Sequence, residues 1–122
     1  MKLCDIKFRG WQHDKWIYGL LELDRKTGIY YIIPEYATNN CAVNQNSIGQ
    51  FTGLKDADGK EIYDGDILVQ KGNVDFEDKV GKVIWKKDQA GWYVANSLAS
   101  LPLGDFLYYN DQCKVQNLEF KF

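Results

Sequence analysis

Apolar and polar residues alternate with a period of two along most of this chain. Near the start, Cys4, Ile6 and Phe8 fall on one side and Asp5, Lys7 and Arg9 on the other. That alternation predicts a strand over residues 3–8 with one face against a core. Residues 10–15 are polar apart from Trp11 and read as a turn. Residues 16–23 form the next predicted strand. Asp24-Arg25-Lys26-Thr27-Gly28 then reads as a turn, and residues 29–33 as the returning strand of a hairpin. Pro34 ends it, because proline offers no N–H to a ladder. Residues 35–47 are rich in Asn and read as a loop, with a short edge strand near Cys41-Ala42-Val43.

The centre of the chain carries the clearest turn chemistry. Residues 51–55 and 60–63 flank Asp56-Ala57-Asp58-Gly59, where Gly59 can take positive φ, so a hairpin is predicted. Asp64-Gly65-Asp66 makes a second turn into a strand at 67–70. A mobile loop is expected over 72–79, followed by strands at 80–86 and 92–95 joined through Asp88-Gln89-Ala90-Gly91. Residues 98–103 are ambiguous and fit a helical turn. Residues 106–109, a turn at Asn110-Asp111 and a strand over 114–122 close the chain. No stretch of ten or more residues sustains a 3.6-residue apolar period. The expected fold class is therefore all-β with little helix: a multi-stranded barrel or sandwich in one domain, 1–122, in which 67–95 looks like part of an SH3-like barrel.

Composition sharpens this picture in two places. Aromatic residues reach 15%, with 4 Trp and 8 Tyr, which suits pleated, half-buried strands. The net charge of -2 and pI near 5.3 give no global basic field to draw in nucleic acid. No apolar run approaches the ~18 residues of a membrane span, and no secretory signal is visible at the start. Cys4, Cys41 and Cys113 are odd in number and widely spaced, which fits a reducing cytoplasm better than a disulfide framework.

Several stretches resemble the YopX-like proteins of bacteriophages and prophages. Lys7-Phe8-Arg9-Gly10-Trp11 and Trp16-Ile17-Tyr18-Gly19 are similar to the family's opening strands. The run Ile48-Gly49-Gln50-Phe51-Thr52-Gly53-Leu54-Lys55-Asp56, continued by Asp58-Gly59-Lys60-Glu61-Ile62-Tyr63-Asp64-Gly65-Asp66-Ile67, is the most specific part. Gly81-Lys82-Val83-Ile84-Trp85 resembles a later strand. The end departs from the pattern: Gln116 stands where the family has glycine, and Glu119-Phe120-Lys121-Phe122 lacks its proline-containing tail. The resemblance implies a phage or prophage gene expressed in the bacterial cytoplasm. It supplies no catalytic residues, because the family has no agreed molecular function.

Asp56, Asp58, Glu61, Asp64 and Asp66 are the densest acidic cluster. Such a cluster suits a hard cation or acid–base chemistry, or it simply shapes turns, since Asp side chains accept from nearby backbone N–H groups. The glycine and glutamate spacing of a calcium loop is not met, and turn chemistry is the expectation. His13, the single histidine, sits in a polar turn. No metal ligand set and no cofactor are expected. Adjacent aromatics such as Tyr30-Tyr31 and Trp92-Tyr93 must point to opposite sheet faces. Trp92 and Tyr31 are therefore candidate partner-binding residues, together with Lys82 and Lys86, which share one face of a strand. Edge-strand protection is the plainer role for those lysines. The leading expectation is a non-catalytic binding or assembly module, acting on a second copy of itself or on a phage or host protein. A nucleic-acid-binding SH3-like module, disfavoured by the acidic pI, and a divalent-metal-dependent enzyme are the alternatives.

Overall fold

Antiparallel strands dominate the structure, a computed structural model that describes residues 6–35, 37, 39–116 and 120. The chain forms two compact units, Met1–Gly53 with Leu118–Phe122, and Leu54–Asn117.

In the first unit, β1 (Phe8–Gln12), β2 (Lys15–Asp24), β3 (Ile29–Pro34), β4 (Cys41–Ala42) and β5 (Asn44–Lys55) are ordered β4-β3-β2-β1-β5. Pairing of β1 with β2 sets Arg9 opposite Tyr18 and Trp11 opposite Trp16. The Arg9 guanidinium lies 4.1 Å from the Trp16 ring centre, and Trp11 meets Trp16 edge-on at 5.1 Å. Trp11, Ile32 and Phe51 are buried here. Asp24 builds the β2–β3 turn as predicted: its carboxylate accepts from the N–H groups of Lys26 and Thr27.

Two expectations for this unit are corrected. Residues 10–12 belong to β1, so the turn contracts to His13-Asp14. Residues 44–47, read as the end of a loop from their polar composition, are the first part of the 12-residue β5. The reason is a register shift between Arg9 and Trp11 in the β1–β5 pair. There Ser47 Oγ, buried, accepts the Trp11 N–H at 2.7 Å and donates to the Asn44 carbonyl. A polar side chain thus replaces a missing ladder partner, and polarity marks a bulge rather than a loop. The strand predicted at 3–8 falls partly outside the described residues; Ile6 and Lys7 lie outside β1.

The second unit begins with the end of β5 and β6 (Glu61–Tyr63), which lies beside it. Its main sheet is ordered β10-β9-β8-β7-β11, from β7 (Ile67–Gln70), β8 (Lys79–Lys86), β9 (Gly91–Ala95), β10 (Ser100–Pro102) and β11 (Lys114–Val115). Val83 faces Val94, and Leu68 faces Gly81 and Val115. These residues share one side of the sheet, and α1 (Leu103–Tyr109) contacts β9 and β10. Ile62, Leu68, Val83, Val94, Leu103, Phe106, Cys113 and Val115 form the core. Each large aliphatic side chain buried there contributes about 1.5–3 kcal/mol. Burial, and then the charges of Asp56 and Asp111, push the Cys113 thiol pKa up, so the thiol behaves as a small apolar group.

Among the described residues the fold is mostly β with one short helix, as expected, but each sheet is open and no closed barrel forms. The helical turn considered for residues 98–103 lies one step later: Ser100–Pro102 is strand β10, and the helix α1 runs from Leu103 through residues 106–109, for which no helix is predicted. Leu103, Phe106 and Leu107 stand at helical spacing, and the first two are buried. Pro102 precedes the first turn, Asp105 lies within it, and Asn110 ends the helix by donating to the Phe106 carbonyl. The predicted closing strand is described only as Lys114–Val115; residues 117–119, 121 and 122 lie outside the described part.

Candidate functional site

The acidic cluster resolves into two turns of the second unit. Asp56 is buried. Its Oδ1 accepts from the N–H groups of Asp58 at 2.9 Å and Lys60 at 2.8 Å, and its Oδ2 accepts from Val115 at 2.9 Å. The Ala57 N–H also donates to the Cys113 carbonyl. One carboxylate thus closes the hairpin and ties it to β11, a segment far away in sequence. Gly59 takes φ 81°, the left-handed region expected for it.

Asp66, also buried, accepts the Tyr63 N–H at 2.7 Å through Oδ2. Its carbonyl accepts from Val83, while Gly65, at φ 90°, donates to the Val83 carbonyl. The second turn is therefore stitched to β8. Of the remaining acids, Asp58 reaches Lys114 Nζ at 3.5 Å on the surface, Glu61 accepts the Tyr63 hydroxyl at 3.1 Å, and Asp64 is half-buried. Among the described residues, no group of three or more His, Cys, Asp or Glu side chains is arranged around a metal position. His13 lies exposed in the β1–β2 turn, where its carbonyl accepts the Trp11 indole N–H at 3.1 Å.

Lys82 and Lys86 do share a sheet face, opposite Ala95 and Gly91 of β9. Lys82 is exposed. Lys86 is engaged within the fold: its Nζ donates to Ser100 Oγ at 3.0 Å and sits 4.9 Å from the Tyr93 ring centre. Trp92 lies on the other face, half-buried against the core and edge-on to Trp85 at 5.1 Å. The structure therefore does not join Trp92 to the lysine pair. Tyr31 is in the first unit, half-buried, between Glu22 of β2 and Ala42 of β4.

The solvent-facing rings of the second unit are others. Trp85 is 50% exposed, Tyr108 80% and Tyr109 73%; the two tyrosines stack edge-on at 5.2 Å. Phe76, 69% exposed, and Val74, fully exposed, occupy the β7–β8 connection. Strand alternation could not select these. Trp85 shares the core-side parity of Val83 yet lies near the end of its strand, and Tyr108 and Tyr109 belong to a helix.

Among the described residues, no helix is long and apolar enough to cross a membrane. No curated protein and no solved structure matches the chain. Residues 7–118, which contain both clasped aspartate turns and the described strands, match the family model of the YopX protein, and the chain therefore belongs to the YopX family.

Proposed function

We propose that this YopX-family chain is a non-catalytic binding and assembly module, encoded by a phage or prophage and working in the bacterial cytoplasm. One contrast supports the reading. The two buried carboxylates of its densest acidic cluster hold turns together, while large aromatic rings of the same unit face water. Asp56 and Asp66 bond to backbone amides, an arrangement that serves folding. Trp85, Tyr108 and Tyr109 offer flat, rigid surface of the kind that anchors protein partners.

The test is light scattering on the nuclease-treated protein, combined with affinity capture by wild type and by Trp85→Ala and Tyr108→Ala variants. A defined oligomer or a reproducible protein complex, weakened by these substitutions without loss of folding, is the expected outcome. A monomer whose captured proteins are the same for wild type and variants would overturn it.

A further inference from the structure

The β7–β8 connection is a long loop of the second unit, and hydrogen bonds close its base and its tip. Asp78 closes its base: the carboxylate accepts the Gly72 N–H at 2.8 Å and meets Lys71 Nζ at 3.4 Å. Asn73 builds its tip. The Asn73 side-chain oxygen accepts from Asp75 at 2.8 Å and Phe76 at 3.1 Å, and its N–H donates to the Phe76 carbonyl at 2.9 Å. Gly72 allows the strands of the loop to close, since a Cβ there would overlap the Phe76 carbonyl oxygen. The expected loop is present over residues 71–78, and its base and tip are hydrogen-bonded.

The outward face of the loop is apolar at its centre and acidic at its sides. Val74 and Phe76 project into solvent, interleaved with exposed Asp75 and Glu77. Isolated exposed apolar side chains are ordinary. Two of them stand side by side on a turn whose base and tip are each hydrogen-bonded by a side chain, so the turn presents both in one direction, which lowers the ordering cost of docking. The geometry points to a docking finger: Phe76 and Val74 enter an apolar cleft on a partner protein whose rim carries lysine or arginine facing Asp75 and Glu77. The carboxylates select the occupant. They repel an anionic bilayer and any acidic surface, and they speed encounter with a basic rim. The inference rests on the binding-module reading and adds a second contact surface to the rings of Trp85, Tyr108 and Tyr109.

Photo-cross-linking tests it in the full-length chain within cells that naturally express it, with p-benzoylphenylalanine replacing Phe76 and, as control, Leu98, which is also exposed. One cross-linked protein is expected from position 76 and not from position 98. Its linked peptide, located by mass spectrometry, should lie in an apolar cleft with a basic rim. Asp75→Lys with Glu77→Lys should lower the yield by about tenfold, as loss of charge matching predicts. Gly72→Ala, which leaves both anchors in place, should lower it by opening the clasp. A cross-link to a second copy of this chain, a cross-link to lipid, no product, or a product indifferent to charge reversal would each overturn the finger. If position 76 fails while Trp85→Ala still weakens a captured complex, only the finger is lost. If both fail, the binding-module reading falls with it.

Discussion

Single residues hold this fold at places where the backbone cannot satisfy itself. Ser47 is the clearest: its hydroxyl is the acceptor for a buried Trp11 N–H across the bulge between β1 and β5. Ser47→Ala should destabilise the protein by about 1–3 kcal/mol, the cost of an unpaired buried donor. Urea unfolding should show a lower midpoint at unchanged slope. The opposite sign is expected at Ala90. It ends the 3-10 turn Lys87–Gln89 at φ 49°, where a Cβ is strained. A left-handed conformation costs an L-residue about 1–2 kcal/mol, part of which glycine returns as unfolded-state entropy. Ala90→Gly should therefore raise stability by about 0.5–1 kcal/mol in the same measurement.

At the scale of elements, the carboxylates act as clasps. Asp56 joins the hairpin before β6 to β11 by bonds to three backbone N–H groups. Asp56→Ala should cost about 3 kcal/mol, because the Val115 amide is left buried without its acceptor. Asp56→Asn, which keeps one oxygen acceptor, should cost less, and the comparison in urea separates hydrogen bonding from side-chain volume. Asp78 does the same for the β7–β8 loop in a solvent-exposed setting. The Gly72 N–H holds its carboxyl below the ordinary carboxylate range; desolvation opposes this, and the Lys71 ammonium adds a weaker downward pull. A depressed folded pKa means that the clasp is complete above the unfolded value and is lost as pH falls through the folded one. The Gly72 amide resonance should titrate with an acidic midpoint below that of a free aspartate, and Asp78→Asn should abolish the titration.

For the whole molecule, charge bears on the rival reading as a nucleic-acid binder. The chain carries a net charge of -2, and acidic residues outnumber lysines within Leu54–Asn117. Of the lysine pair singled out from the sequence, Lys86 already bonds to Ser100 and covers Tyr93. Phosphate contacts weaken steeply with salt, and the excess of carboxylates in this unit opposes them. Fluorescence anisotropy with labelled single-stranded DNA and RNA should therefore show no binding near physiological salt. Saturable binding that Lys82→Glu removes would promote that reading over protein partnering.

Period-two alternation and turn chemistry made much of this architecture legible in the residues themselves. The β2–β3 hairpin, the Asp56–Gly59 turn, the Asp64-Gly65-Asp66 turn and the β7, β8 and β9 strands all follow from interactions within a few residues, which local sequence encodes. So does the family, through the central run that carries both turns. What local sequence left open depended on distant partners. Ser47 completes a strand by bonding to Trp11, and Asp56 bonds to Val115, contacts 36 and 59 residues apart. Residues 103–109 became helix because Leu103 and Phe106 bury their side chains in the core beside β9 and β10. Tyr30, Tyr31, Trp92 and Tyr93 are all half-buried, a result of packing on both faces of each sheet that alternation alone does not give. The sequence by itself determined most strands, the turns and the family; tertiary packing decided the bulge, the helix and which rings stay exposed, because each needs neighbours that the local chain does not contain.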